Sequence, residues 1–270
     1  MSFSTEVKAE LCRVSMQRAC CTRAEAYGVL LHASVFSHKE IRLSTENVFV
    51  ARRLQALLQR AFSVDCAPQR AGRKLQHTVG EPAQIARIFD VLGYDLKSHL
   101  AYHLNRNVLE NDCCVAAFLR GAFLMAGTVA GPDKKSHLEL KAGRQSLAGE
   151  ETSLLLDLGL SPKQARRGNS CLLYFKEGAS VEDFLTRIGA PRAAMELMQA
   201  KVEKNIRNTI NRQVNCETAN LMKAADASAR QVAAIRAVLD RRGEEAFPEA
   251  LRETVRLRLA YPTDSLAELA

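Results

Sequence analysis

Long apolar runs are absent from this chain of 270 residues. No window of about 18 apolar residues occurs, the length that a membrane-spanning helix requires, so no membrane partner is expected. The opening stretch MSFSTEVKAELCRV carries Glu6 and Glu10 where a secretory leader would be basic and then apolar. A cytoplasmic protein is the expectation. C-x-x-C pairs are missing as well. The eight cysteines are Cys12, Cys20, Cys21, Cys66, Cys113, Cys114, Cys171 and Cys216, and none stands with histidine at zinc-finger spacing. Adjacent cysteines such as Cys20 and Cys21 make poor disulfide partners, so reduced thiols packed as small hydrophobic side chains are expected, with no metal and no cofactor. The six histidines (His32, His38, His77, His99, His103, His137) are scattered. His99 and His103 stand four apart, but without the H-E-x-x-H acid of a zinc protease. No phosphate-binding loop or dinucleotide fingerprint occurs, so neither an enzyme nor a small-molecule substrate is expected.

What is present is basic charge and a repeat. The net charge is +8, which permits binding to nucleic acid without requiring it. Shifting the chain by 93 residues lays CCTRAEAYGVLLHASV (20–35) on CCVAAFLRGAFLMAGTV (113–129), with Gly28 on Gly121 and Ala33 on Ala126. The match resumes farther on, LQHTVGEPAQIARIFDVLGY (75–94) against LLYFKEGASVEDFLTRIGA (172–190).

Each half reads as the same series of elements. An apolar helix (about 22–33, about 114–126) precedes an alternating strand region, KEIRLST or SHLELKA. A longer helix follows. In the first half it is NVFVARRLQALLQRAF, whose Val48, Ala51, Leu54, Leu57, Leu58 and Phe62 recur near helical spacing, and in the second QSLAGEETSLLLDLG. A hairpin with a glycine turn comes next, RAGRK (70–74) or RRGN (166–169), and a third helix closes the half. The expected fold is α+β, an α-β-β-α-β-β-α unit occurring twice. Glycine costs about 1 kcal/mol against alanine inside a helix. Close approach of two helices across a pseudo-two-fold axis accounts for Gly28, Gly121 and Gly127, although Gly127 is equally explained as a helix end.

The stretch LRGAFLMAG (119–127) resembles the L-A-G-L-I-D-A-D-G motif of homing endonucleases, which have this doubled plan. The motif's metal-binding acid falls on Ala126, and on Ala33 in the first half. Alanine cannot hold Mg²⁺ or activate water, so the resemblance implies the packing helices without catalytic residues. MSFSTEVKAEL, CCTRAE, STENVFVARRL, CCVAAFLRGAFLMAGTV and NTINRQVNCETAN together resemble the WhiA family of bacterial DNA-binding regulators. That resemblance implies a degenerate homing-endonuclease-like domain followed by a helix-turn-helix. It also implies transcription regulation tied to cell division, chromosome segregation or sporulation. The implied partners are double-stranded DNA and a partner regulator or RNA polymerase, and the implied location is the cytoplasm, at the nucleoid. The domains are expected at 1–110, 111–196 and 197–270.

From about residue 191 the pattern is helical. On a wheel of KVEKNIRNTINRQVNCETANLMK (201–223), Lys201, Lys204, Asn208, Asn211, Arg212, Asn215 and Lys223 fall within a sector of roughly 120°. Ile206, Ile210, Val214 and Leu221 fall on the far side, which is expected to pack. Amides and cations bind phosphate oxygens and adenine edges, so the first face is a candidate for DNA contact. Interdomain packing and plain solvation stay open. Leu251, Val255 and Leu259 recur at i, i+4, i+8, and YPTD precedes SLAELA (265–270), capped by Asp264 or Ser265. This reads as an incomplete helix-turn-helix, with the recognition helix expected beyond residue 270. Residues 1–110 hold 15 Lys and Arg against 10 Asp and Glu. Arg52, Arg53, Arg70, Arg73 and Lys74 belong to this excess. Arg70, Arg73 and Lys74 in one hairpin tip, with Arg166 and Arg167 in the other, are candidates for DNA contact, with solubility as the alternative reason for their charge.

Overall fold

The computed structural model describes residues 2–95, 103–168, 170–264 and 268. The chain divides into two compact units, Met1–Lys201 and Val202–Ala270. The first begins with α1 (Phe3–Leu11), capped by the Ser2 hydroxyl and burying Val7 and Leu11. The first repeat follows as α2 (Ala19–Leu31), β1 (Val35–Phe36), β2 (Ile41–Thr45), α3 (Val48–Phe62), β3 (Gln69–Ala71), β4 (Lys74–Val79) and α4 (Pro82–Val91). The second is α5 (Asp112–Ala126), β5 (Gly127–Val129), β6 (Leu138–Ala142), α6 (Gln145–Asp157), β7 (Lys163–Arg167), β8 (Ser170–Phe175) and α7 (Gly178–Ile188). The doubled α-β-β-α-β-β-α order is the one the repeat implies. The sheets agree strand for strand, β1-β2-β4-β3 and β5-β6-β8-β7, and every pairing is antiparallel. Both expected hairpins form, with Gly72 and Gly168 in the left-handed region their turns require.

Alternation along each strand sends one row of side chains to the helices. Ile41, Leu43, His77 and Val79 are buried in the first sheet, and Leu138, Leu140, Ala142, Leu173 and Phe175 in the second. Between the repeats α2 and α5 pack on each other. A Cβ built on Gly28 would lie 2.1 Å from the Phe118 carbonyl oxygen, and one on Gly121 would lie 2.1 Å from that of Glu25. These two glycines therefore set the helix spacing, as the repeat suggested. Gly127 does not take part: a Cβ there would meet the ring of its own Phe123, and the residue ends α5.

Two expectations for α3 need correction. Val48 is half exposed rather than core, because it opens the helix just after the Asn47 cap. Arg53, counted with the exposed basic excess, is buried. Its Nη2 donates to Glu25 Oε2 at 2.7 Å, its Nε donates to Glu25 Oε1, and its Nη1 donates to the Cys12 and Val14 carbonyls at 3.0 and 2.8 Å. Arg120, from α5, donates through Nε to Glu25 Oε2 at 2.9 Å and through Nη1 to the Ile188 carbonyl at 2.8 Å. One buried carboxylate thus holds two buried guanidinium groups at the centre of the first unit.

The helix α8 (Pro191–Arg242) begins in the first unit, where the Glu10 carboxylate accepts the Arg192 and Ala193 backbone N–H groups at 2.9 and 3.1 Å. The second unit holds the remainder of α8 and α9 (Glu249–Ala260). Among its described residues Ser228, Val255 and Arg258 are buried, and Arg258 Nη1 lies 3.3 Å from Ser228 Oγ. Leu251, expected on the same stripe as Val255, is half exposed. His99, Asn169 of the second hairpin tip and most of SLAELA lie outside the described residues.

Candidate nucleic-acid interface

The carboxyl-terminal ends of α2 and α5 open on one cleft of about 420 Å³, lined by Ala33 and Ala126 together with Lys8, His32, Lys141 and Ser170 among others. Ala33 and Ala126, which occupy aligned positions in the two repeats, therefore line the same cleft. No carboxylate is among the described residues lining the cleft. Lys8, from α1, reaches it with its ammonium 5.9 Å from the Phe123 ring centroid, and burial pulls its pKa down to about 8.

At the cleft the His32 side chain is buried beside Glu151 of α6. Its Nε2 lies 3.2 Å from Glu151 Oε1, in ion-pair contact rather than an aligned hydrogen bond, and its Nδ1 lies 3.0 Å from the Gly28 carbonyl. That carbonyl can only accept, so the Nδ1 proton stays and a neutral ring would turn a lone pair toward the carboxylate. Burial opposes the charged ring, but the close Glu151 charge and the hydrogen bond to Gly28 outweigh it and raise the His32 pKa. A raised folded pKa contributes stability that is complete below the unfolded value, about 6.5, and is lost as pH rises through the folded value. The urea midpoint of the wild-type chain should fall over that rise more than that of His32→Gln. Equal declines in both chains would remove the pair from the account.

Strand register settles which charges face away from the helices. In the first sheet the pairs Arg42–Thr78, Ser44–Gln76, Gln69–Gln76 and Ala71–Lys74 share that open face. In the second it carries Thr128, Glu139, Lys141, Lys163, Arg167, Ser170 and Tyr174. Lys74 and Arg167 thus lie on the open faces of their sheets. Arg70 pairs with Leu75 and Arg166 with Cys171, so both lie, exposed, at the tips but on the helix side of their sheets. Arg73 sits in the turn itself. Lys141, Lys163 and Arg42 are additions. Arg42 is held by Glu40, 2.5 Å away, whereas Lys141 and Lys163 are exposed. The signal for Lys141 was present in SHLELKA, where it alternates with the buried Leu138, Leu140 and Ala142.

Lys204, Asn208, Asn211, Arg212, Asn215 and Lys223 are all exposed on α8, and Lys201 lies 3.5 Å from Glu182. The opposite side departs from expectation. Ile206, Ile210, Val214 and Leu221 are 52–72% exposed and pack on nothing described. Helical periodicity identifies an apolar face, but it cannot supply the surface that would cover it.

The comparisons with known proteins bear on the whole chain. It is 36% identical over 280 residues to a protein of Ruminiclostridium cellulolyticum named probable cell division protein WhiA, covering all of this chain and 90% of that one. The chain belongs to the WhiA family. A Clostridium perfringens WhiA protein of the same name is 34% identical over 285 residues, again with 90% of its length covered. The WhiA LAGLIDADG-like domain matches residues 115–207, and the WhiA C-terminal HTH domain matches residues 210–270. The fold matches the crystal structure of full-length DUF199/WhiA from Thermatoga maritima at a TM-score of 0.68, with 24% identity, covering all of this chain and 90% of that one. The N-terminal LAGLIDADG domain of DUF199/WhiA matches at 0.55, with 20% identity over 70% of this chain and 92% of that one. Among the described residues no helix is long and apolar enough to cross a membrane.

Proposed function

We propose that this WhiA protein is a DNA-binding transcription regulator tied to cell division, and that its LAGLIDADG-like unit grips DNA without cutting it. The observation that carries this reading is the cleft at Ala33 and Ala126. Lys8 and Lys141 line it, and no lining carboxylate is described that could hold Mg²⁺ or activate water. Lys74, Lys141, Lys163 and Arg167 on the open sheet faces would neutralise phosphates. The match of residues 210–270 to an HTH domain supports a second DNA-contacting part, with Lys204, Asn208, Asn211, Arg212 and Asn215 as further phosphate or base-edge partners. The location this implies is the cytoplasm, at the nucleoid, and no cofactor is required.

Binding of the chain to duplex DNA over a salt series tests the proposal. Affinity is expected to fall with a log–log slope of about −0.9 for each phosphate neutralised. Replacing Lys141, Lys163 and Arg167 together by alanine should make the slope shallower by about 2–3. The pair Arg212→Ala and Lys204→Ala should reduce it by about 2. The DNA should stay intact with added Mg²⁺. Slopes unchanged in both variants would remove these surfaces, and cleavage would overturn the reading.

The exposed apolar row of Ile206, Ile210, Val214 and Leu221 favours a second reading, in which the chain docks on a partner regulator or RNA polymerase. No DNA binding at about 50 mM salt, where phosphate-driven binding is strong, would decide for it.

A further inference from the structure

The four cysteines that drew the two repeats together in the sequence also come together in space. Cys20 and Cys21 occupy the second and third positions of α2, and Cys113 and Cys114 the second and third of α5. Their four sulfur atoms all lie within 4.8 Å of one another. The expectation of reduced thiols packed as small hydrophobic side chains did not include their meeting in one place. Spacing rules search for ligands along one segment, and this cluster is assembled from two. We infer that Cys20, Cys21, Cys113 and Cys114 form a tetrathiolate site for one soft divalent cation of the zinc class.

The symmetry of the cluster favours a single ion. The 93-residue shift lays Cys20 on Cys113 and Cys21 on Cys114, and the Cys21 thiol donates to the Cys113 backbone carbonyl at 3.6 Å, from one helix to the other. One ion among the four sulfur atoms therefore meets equivalent ligands from both repeats. A tetrahedral ion with Zn–S of about 2.3 Å sets its sulfur atoms about 3.8 Å apart, which small side-chain rotations reach from the present spacing. An iron–sulfur cluster holds several irons and sulfides inside its thiolates and needs a wider cage.

The surroundings suit a cation held by thiolates. Both helices point their amino-terminal ends at the cluster, and neither has a side-chain cap. The partial positive charge of each end favours thiolate over thiol. A cation among the sulfurs stabilises thiolate, and each thiol gives up its proton to solvent when the ion binds. Cys114 is fully buried and the other three are partly so, which shields the bonds from competing ligands. The ion would clamp the amino-terminal ends of α2 and α5, opposite to the Ala33 and Ala126 cleft at their carboxyl-terminal ends.

The test uses the full chain, reduced and stripped of metal, titrated with Co²⁺. The expected result is one Co²⁺ per chain, with thiolate charge-transfer bands and the visible bands of a tetrahedral site, displaced on adding Zn²⁺. The double variant Cys20→Ser and Cys113→Ser should lose these bands, whereas Cys216→Ser should keep them. Should the double variant fail to fold, the wild-type titration decides alone, with circular dichroism confirming that the stripped chain is folded. Absence of thiolate bands in the folded, reduced wild-type chain overturns the proposal. So does the finding that the four thiols form two cross-helix disulfides whose reduction yields no Co²⁺-binding form.

Discussion

Replacing Glu25 by alanine is expected to lower the unfolding free energy by about 3–5 kcal/mol, the cost of removing one partner from a buried ion pair. Glu25 is 1% exposed, and its carboxylate holds Arg53 and Arg120, themselves 4% and 7% exposed. Without it two guanidinium groups remain buried. Arg53 would keep only the Cys12 and Val14 carbonyls, and Arg120 only that of Ile188. Carbonyl oxygens accept hydrogen bonds but do not neutralise charge. Glu25→Gln keeps the shape and removes the charge, so it should recover only part of the loss. Urea denaturation of the three chains measures this directly. A loss under about 1 kcal/mol in Glu25→Ala, the range of an exposed pair, would show that water reaches the arginines. The three residues come from α2, α3 and α5, so the whole first unit should lose stability cooperatively.

The second large effect is expected at the helix crossing. Gly121→Val should destabilise by about 3 kcal/mol or more, the upper range of overpacking, and Gly121→Ala by somewhat less. The atom that an added Cβ would strike is backbone, the Glu25 carbonyl oxygen, and it cannot rotate away as a side chain does. The helices must separate, and the contact at Gly28 opens with them. Gly149 supplies the control. It lies in α6, is exposed, and has nothing within 4 Å of a built Cβ. Gly149→Ala should therefore stabilise the chain by about 0.5–1 kcal/mol. Opposite signs for the same substitution at Gly121 and Gly149, read from thermal or urea unfolding, establish that spacing between helices is what Gly121 supplies. Matching signs would sink that explanation.

The sequence carried the repeat because both halves use the same local signals: the apolar helix with its glycine, the alternating strands and the glycine hairpin. Those signals depend on neighbours a few residues away, so Gly72 and Gly168, Ala33 and Ala126, and the doubled element order were readable. What escaped depends on segments that meet only after folding. Arg53 looked like one more surface cation beside Arg52, because its partner lies 28 residues earlier in another helix. The Cys20–Cys21 and Cys113–Cys114 pairs read as small packing side chains for the same reason. The hairpin tips were located correctly, yet the separation of Arg167 from Arg166 required the register that pairs them with Ser170 and Cys171. On α8 the opposite limit applies. The face of Ile206, Ile210 and Val214 is real as a pattern, but the pattern does not bring its own partner.

The Glu10 contact has a consequence for how the protein is made. Glu10 belongs to α1, and the N–H groups it caps lie 182 and 183 residues later. Docking of α1 on α3 and α5, and its closure over the start of α8, must wait for those elements to be synthesised. Segments emerge at about 5–20 residues per second, so α1 spends roughly ten seconds or more without its final neighbours. An element made well before its partners is among the last to be secured.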